Sequence, residues 1–148
     1  KTNTINNKTT IEGSNSKIIK NVNDNSNQNK YSFHIHCPDG ATPKDGPSAG
    51  CAISLGLISL LTEIPIRNDI SMTGEIDVLG NALPIGGLDS KIMGSKSAGI
   101  FNVMMPRKNE KDLRLIKRNS PEILEDMNII IVDTIEDVLK NGLEKEIN

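Results

Sequence analysis

A mixed α/β fold, with several short strands and packed helices, is what this sequence predicts, and three observations predict it. From residue 31 onward, short apolar runs of strand length alternate with longer stretches of helical length. Gly and Pro separate these runs at regular points. The material for a core is almost wholly aliphatic, since 36% of the 148 residues are hydrophobic but only 2% are aromatic and none is Trp.

The elements follow in order. Residues 1–30 are dominated by Asn, Lys, Ser and Thr. Such a tract buries too little apolar surface to offset its ordering entropy, so a low-complexity, disordered linker or insertion is expected over 1–30 and the domain proper over 31–148. Tyr31 to Cys37 alternates apolar and polar residues and suits a strand. A Gly/Pro-rich loop runs from Pro38 to Pro47. Residues 48–61 are apolar on nearly every face, which predicts a buried helix begun by Ser48. Its small residues Ala49, Gly50, Ala52 and Gly56 allow another backbone to approach. Short strands are expected at Ile70–Met72 and Glu75–Leu79, with a third apolar run at Leu83–Ile85. Gly86-Gly87 introduces a helix to about Ala98, with Gly99 as its C-cap. Phe101 to Met105 reads as a strand closed by Pro106, and residues 110–117 as a polar helix. Ile129–Val132 reads as a buried strand, and residues 134–139 as a helix with Thr134 as N-cap.

Composition excludes several function classes. The formal net charge is −2, so nucleic-acid binding is not indicated. No apolar run reaches the roughly 18 residues of a membrane span. Cys37 and Cys51 form neither a disulfide framework nor a C-x-x-C metal site, and both read as packing residues. His34 and His36, two apart on one strand, share a face but lack a third ligand, so no metal is expected.

Gly46-Pro47-Ser48-Ala49-Gly50 fits G-x-S-x-G, the nucleophile-elbow pattern. An α/β-hydrolase is excluded by chain order, because no His follows Ser48. Serine still needs a base, and lysine can serve where burial or positive potential works against its ammonium. Lys91 is the candidate. It falls near the start of the helix after Gly86-Gly87, at the positive end of the helix dipole, and shares a face with Leu88 and Ser95. Amides near the start of the Ser48 helix are candidates for stabilising an oxyanion. Asp45, three residues before Ser48, would switch such a base off if it paired with Lys91.

Three separated strings carry a resemblance. His34-Ile35-His36 with Pro38-Asp39-Gly40-Ala41-Thr42-Pro43-Lys44-Asp45-Gly46-Pro47-Ser48-Ala49-Gly50, then Met72-Thr73-Gly74-Glu75, then Leu83-Pro84-Ile85-Gly86-Gly87-Leu88 with Lys91, closely resemble the proteolytic domain of Lon proteases. The resemblance covers about Tyr31 to Leu143. The 43-residue separation of Ser48 and Lys91 also matches that family's Ser-Lys pair.

The resemblance implies the Lon proteolytic-domain fold, ribosomal protein S5 domain 2-like. It implies an ATP-dependent serine endopeptidase that degrades unfolded or damaged proteins. Ser48 is then the nucleophile, Lys91 the general base and Thr73 the residue that orients the lysine. Gly46 and Pro47 shape the oxyanion hole, Asp45 gates the loop, and Glu75 fixes the site or a subunit contact. It further implies hexameric rings, and a bacterial cytoplasm or a mitochondrial matrix as compartment. The Asn-rich tract leans toward the matrix.

Two departures accompany the resemblance. No G-x-x-x-x-G-K-[ST] loop occurs, so no cofactor is expected in this chain, and ATP with Mg belongs to an upstream ATPase module. The family's strands before the His-x-His strand are expected to be missing, their place taken by the Asn-rich tract. That would leave an unpaired sheet edge. Two competing readings are a Lon-like scaffold without catalysis and a self-cleaving Ser-Lys peptidase.

Overall fold

The computed structural model describes the backbone of residues 3–5, 8–13, 16–22 and 31–36, and all of residues 46–147. The chain divides into two units, Lys1–Asp45 and Gly46–Asn148.

The first unit is an antiparallel meander of β1 (Asn3–Ile5), β2 (Lys8–Gly13), β3 (Ser16–Val22) and β4 (Tyr31–His36), paired in that order. Ile5 pairs with Lys8 and Gly13 with Ser16, so successive strands follow each other closely. β4 is the strand expected before the Gly/Pro loop. Of these strands β1, β2 and β3 lie within the polar tract 1–30, and the unit boundary falls at 45/46. The tract's Thr4, Ile5, Thr9, Thr10, Ile11, Ile18, Ile19 and Val22 are β-branched, and a ladder pairs backbone groups whatever the side chains are.

The second unit has a parallel sheet of β5 (Ile70–Met72), β8 (Asn102–Pro106) and β9 (Asn128–Val132), with β8 central. A small hairpin joins β6 (Glu75–Ile76) to β7 (Ala82–Leu83). Four helices accompany them: α1 (Gly50–Thr62), α2 (Leu88–Ser97), α3 (Glu110–Asn119) and α4 (Ile135–Gly142). The mixed α/β class is as expected.

Alternation along β8 creates two cores, because successive strand residues point to opposite faces. Met104 packs with Cys51 and Leu55 of α1, Val132, and Val138 of α4. Val103 and Met105 pack with Leu88 and Ile92 of α2 and Ile116 of α3. Hence α1 and α4 cover one face of the sheet, and α2 and α3 the other.

The helix limits follow from local chemistry. Thr134 caps α4 as expected, in a capping box. Its Oγ1 accepts from the Asp137 amide, and the Asp137 carboxylate accepts from the Thr134 amide at 3.1 Å. At the end of α2, Gly99 has φ +74°. The Gly99 amide donates to the Lys96 carbonyl and the Ile100 amide to the Ser95 carbonyl, both at 3.0 Å. That pairing is a Schellman motif, which requires the left-handed residue that glycine supplies.

Four expectations are corrected. Ser48 does not begin α1; it sits in a turn, and Ala49 is the N-cap residue, with no side-chain cap. α1 buries only Cys51, Leu55 and Leu60 fully, while Ile53 and Leu61 are exposed. The strand expected over Glu75–Leu79 stops at Ile76. Asp77 ends it by accepting the Leu79 and Asn81 amides on one carboxylate oxygen, each at 2.9 Å. The Asn81 side chain binds the other oxygen, and these bonds hold the Asp77 carboxyl below the usual range. Finally, Pro106 is the last residue of β8, in register with Val132.

The capping box should be measurable. Thr134→Ala is expected to lower unfolding free energy by about 1 kcal/mol, read from the shift in urea midpoint.

Candidate active site

The turn before α1 is tied to the residues just after β5. The Gly74 amide donates to the Ser48 carbonyl at 2.9 Å, and the Cys51 amide donates to the Gly74 carbonyl at 3.0 Å. The Thr73 amide donates to the Met104 carbonyl at 3.1 Å, which carries the β5–β8 pairing one residue further. Ser48 and Thr73 are therefore neighbours through backbone bonds, not through side-chain contacts alone.

This closeness needs small residues. A Cβ on Gly74 would lie 2.8 Å from the Cys51 Sγ, and one on Gly50 would lie 3.0 Å from the Ile76 backbone nitrogen. Cys51 is fully buried, and its thiol donates to the Glu75 carbonyl at 3.3 Å. Burial pushes that thiol's pKa up, so it stays protonated and serves packing, as its sequence suggested.

Lys91 enters from α2. Its amide donates to the Gly87 carbonyl at 3.2 Å, which places it in the first turn, and its side chain is half-buried. The loop before that helix is held by Asn109, which is 1% exposed. The Asn109 Oδ1 accepts from the Ile85 amide at 3.0 Å, and its Nδ2 donates to the Ile85 carbonyl at 2.8 Å and to Asp112 at 2.7 Å. Asn109 was not foreseen. It carries no motif, and the partner that gives it meaning is 24 residues away in the chain.

Ser48, Thr73 and Lys91 line one cavity of about 320 Å³ along β5, the outer strand of the parallel sheet. Thr73 is buried. The rest of the wall is Ala49 and Ala52 from the α1 side, Met72 and Val103 from the sheet, and two hydroxyls, Ser71 and Ser95. Those hydroxyls had signals in the sequence: Ser95 lies four residues after Lys91, and Ser71 two before Thr73.

The other expected residues are placed as follows. Gly46, with φ +90°, and Pro47 form the exposed turn leading to Ser48. The Pro47 carbonyl accepts the Gly50 amide at 3.0 Å. Glu75 lies on β6 and does not line the cavity. Asp45 and Cys37 fall outside the described residues, and of His34 and His36 only the strand backbone is described. Among the described residues no cluster of three His, Cys, Asp or Glu could hold a metal, and no helix is long and apolar enough to cross a membrane.

Chemically, the cavity brings the Ser48, Ser71, Thr73 and Ser95 hydroxyls and the Lys91 amine into one partly enclosed space. The amides of Ser48 and Ala49 bond to no protein group among the described residues, so both can donate to an anion beside Ser48.

Comparison with known proteins points the same way. The sequence model of the family described as "Lon protease (S16) C-terminal proteolytic domain" matches residues 6–145. The match takes in most of the polar tract, and β2 and β3 lie inside the matched range. The chain is 48% identical over 117 residues to the Lon protease of Rickettsia typhi. It is 50% identical over 115 residues to that of Campylobacter concisus and 45% over 118 to that of Fervidobacterium nodosum. These alignments cover 77–79% of this chain but 14% of each relative, so the chain spans a small part of the length of the curated proteins it matches.

Asn109→Ala leaves the Ile85 amide and carbonyl without partners in a buried place. It is expected to cost about 2 kcal/mol of unfolding free energy, checked by denaturant unfolding beside Asn109→Asp, which keeps the acceptor but not the donors.

Proposed function

The chain belongs to the Lon protease (S16) C-terminal proteolytic domain family, and from that premise we propose that it is a serine endopeptidase working through a Ser48–Lys91 dyad. The observation that supports this best is the shared cavity: Ser48, Thr73 and Lys91 come from three separate chain segments and line one space.

The reaction follows from the groups present. The Ser48 Oγ attacks the peptide carbonyl carbon as Lys91 Nζ takes its proton. The carbonyl oxygen becomes an oxyanion facing the Ser48 and Ala49 amides, which bond to no protein group among the described residues. The C–N bond breaks, Lys91 returns the proton to the leaving amine, and an acyl-enzyme ester remains. Water then attacks the ester, with Lys91 again as base, and Ser48 is restored. Thr73, buried beside this path, orients the lysine through its hydroxyl. Gly46 and Pro47 set the turn that aims Ser48. Glu75 acts at a distance, through its carbonyl bond to Cys51.

Asp45 is proposed as a gate. Among the described residues no carboxylate pairs with Lys91, and a pairing Asp45 would hold the amine protonated and idle. An Asp45→Ala enzyme with unchanged peptidase rate and pH profile would remove this role.

The wider setting is proposed on the family's pattern. Substrates are unfolded or damaged protein chains, the assembly is a hexameric ring, and ATP with Mg binds an ATPase module upstream rather than this chain. For the compartment, the bacterial relatives support a cytoplasm, and the Asn-rich composition alone supports a mitochondrial matrix.

The test is hydrolysis of an unfolded protein with ATP by the full-length enzyme. Ser48→Ala and Lys91→Ala are each expected to lower the rate by at least about a hundredfold with ATPase activity and assembly intact. Thr73→Ala is expected to lower it less, in kcat rather than KM. Full activity in either dyad variant would show the assignment to be wrong.

A further inference from the structure

Ser71 and Ser95 take no part in the mechanism above, yet both line its cavity. Their Oγ atoms are 2.7 Å apart. The Ser95 Oγ is also 2.6 Å from the Ile100 carbonyl oxygen. A hydroxyl has one proton to give, and a carbonyl can only accept. Ser95, which is buried, therefore gives its proton to Ile100. The proton between the two serines must then come from Ser71. Among the described residues the other acceptor near Ser71 is the Asn102 carbonyl, at 3.4 Å, too long to compete. The chain of donation runs one way, from Ser71 to Ser95 to the Ile100 carbonyl.

The direction has a consequence inside the cavity. With its proton committed, Ser71 offers only lone pairs to whatever lies beside it. A neutral lysine acting as base has two N–H groups and one lone pair. The lone pair must face Ser48, so the N–H groups need acceptors elsewhere. A hydroxyl free to donate would bind the lone pair and withdraw it from the reaction. Ser95 lies on the face of α2 that carries Lys91, and Ser71 stands two residues before Thr73.

We propose that Ser71 and Ser95 form a one-way hydroxyl relay that makes Ser71 an acceptor-only positioning residue for Lys91. Ser71 accepts an N–H of the amine, and Ser95 prevents Ser71 from donating to the amine's lone pair. The inference rests on the dyad reading given above.

The experiment measures kcat and KM of the full-length enzyme for Ser71→Ala, Ser95→Ala and the double variant. Ser48→Ala and Lys91→Ala run in the same series, and thermal unfolding of each variant checks its fold. Ser71→Ala loses one acceptor and is expected to lower kcat about threefold, with KM little changed. Ser95→Ala frees the Ser71 proton to bind the lysine and is expected to lower kcat about tenfold. The double variant is expected to recover to the level of Ser71→Ala alone, a reversal that loss of packing does not produce. If Ser95→Ala fails to fold, Ser95→Cys carries the same test, because a thiol fills the space and accepts and donates only weakly. Losses that multiply in the double variant, or a Ser95 variant as active as the unmutated enzyme, overturn the relay. If Ser48→Ala and Lys91→Ala are then inactive, the dyad still stands. An active Lys91→Ala enzyme overturns the dyad and the relay together.

Discussion

The Gly74 peptide unit holds the site together. Its amide binds the Ser48 carbonyl and its carbonyl binds the Cys51 amide, so one residue joins the turn before α1 to the end of β5. Both bonds involve backbone, so neither occupies the Ser48 or the Thr73 hydroxyl. The arrangement works only because Gly74 and Gly50 bring no Cβ into the contact. A substitution there would move the nucleophile relative to the sheet, and a displacement of about 1 Å is costly to catalysis.

β8 is the second constraint. Its alternating Val103, Met104 and Met105 give each face of the sheet its own core. The helix that follows Ser48 is set by one core and the helix that carries Lys91 by the other. Ser48 and Lys91 thus come from opposite faces and line one cavity beside β5. Each helix is anchored independently, so their separation is set by the sheet between them. Asn109 adds a third anchor, since it grips Ile85 immediately before α2. The relay at Ser71 and Ser95 sits where these parts meet.

Much of this was legible beforehand. The Pro-Lys-Asp-Gly-Pro-Ser-Ala-Gly string, the Met-Thr-Gly-Glu string and Lys91 were readable because they are contiguous or at helical spacing, and the structure brings Ser48, Thr73 and Lys91 to one cavity. Thr134 and Gly99 were readable as caps because capping is local chemistry. Failures occurred where the deciding partner is remote or the signal is weak. Val78 and Leu79 look like strand residues, but the Asp77 carboxylate draws their backbone into a turn that leaves both side chains exposed.

The sequence by itself determined the order of elements from β4 onward and the family, and it named Ser48, Thr73 and Lys91 as candidates, because these depend on residue type and on spacing within a few turns of chain. Only the tertiary structure decided that Ser48 precedes its helix, that Asn109 holds Ile85 just before the helix of Lys91, and that the Ser71 and Ser95 hydroxyls are hydrogen-bonded. Each of those depends on which backbone carbonyl or amide lies within about 3 Å of a side chain or a neighbouring strand. That distance is set by the packing of elements far apart in sequence, and no local pattern of residues encodes it.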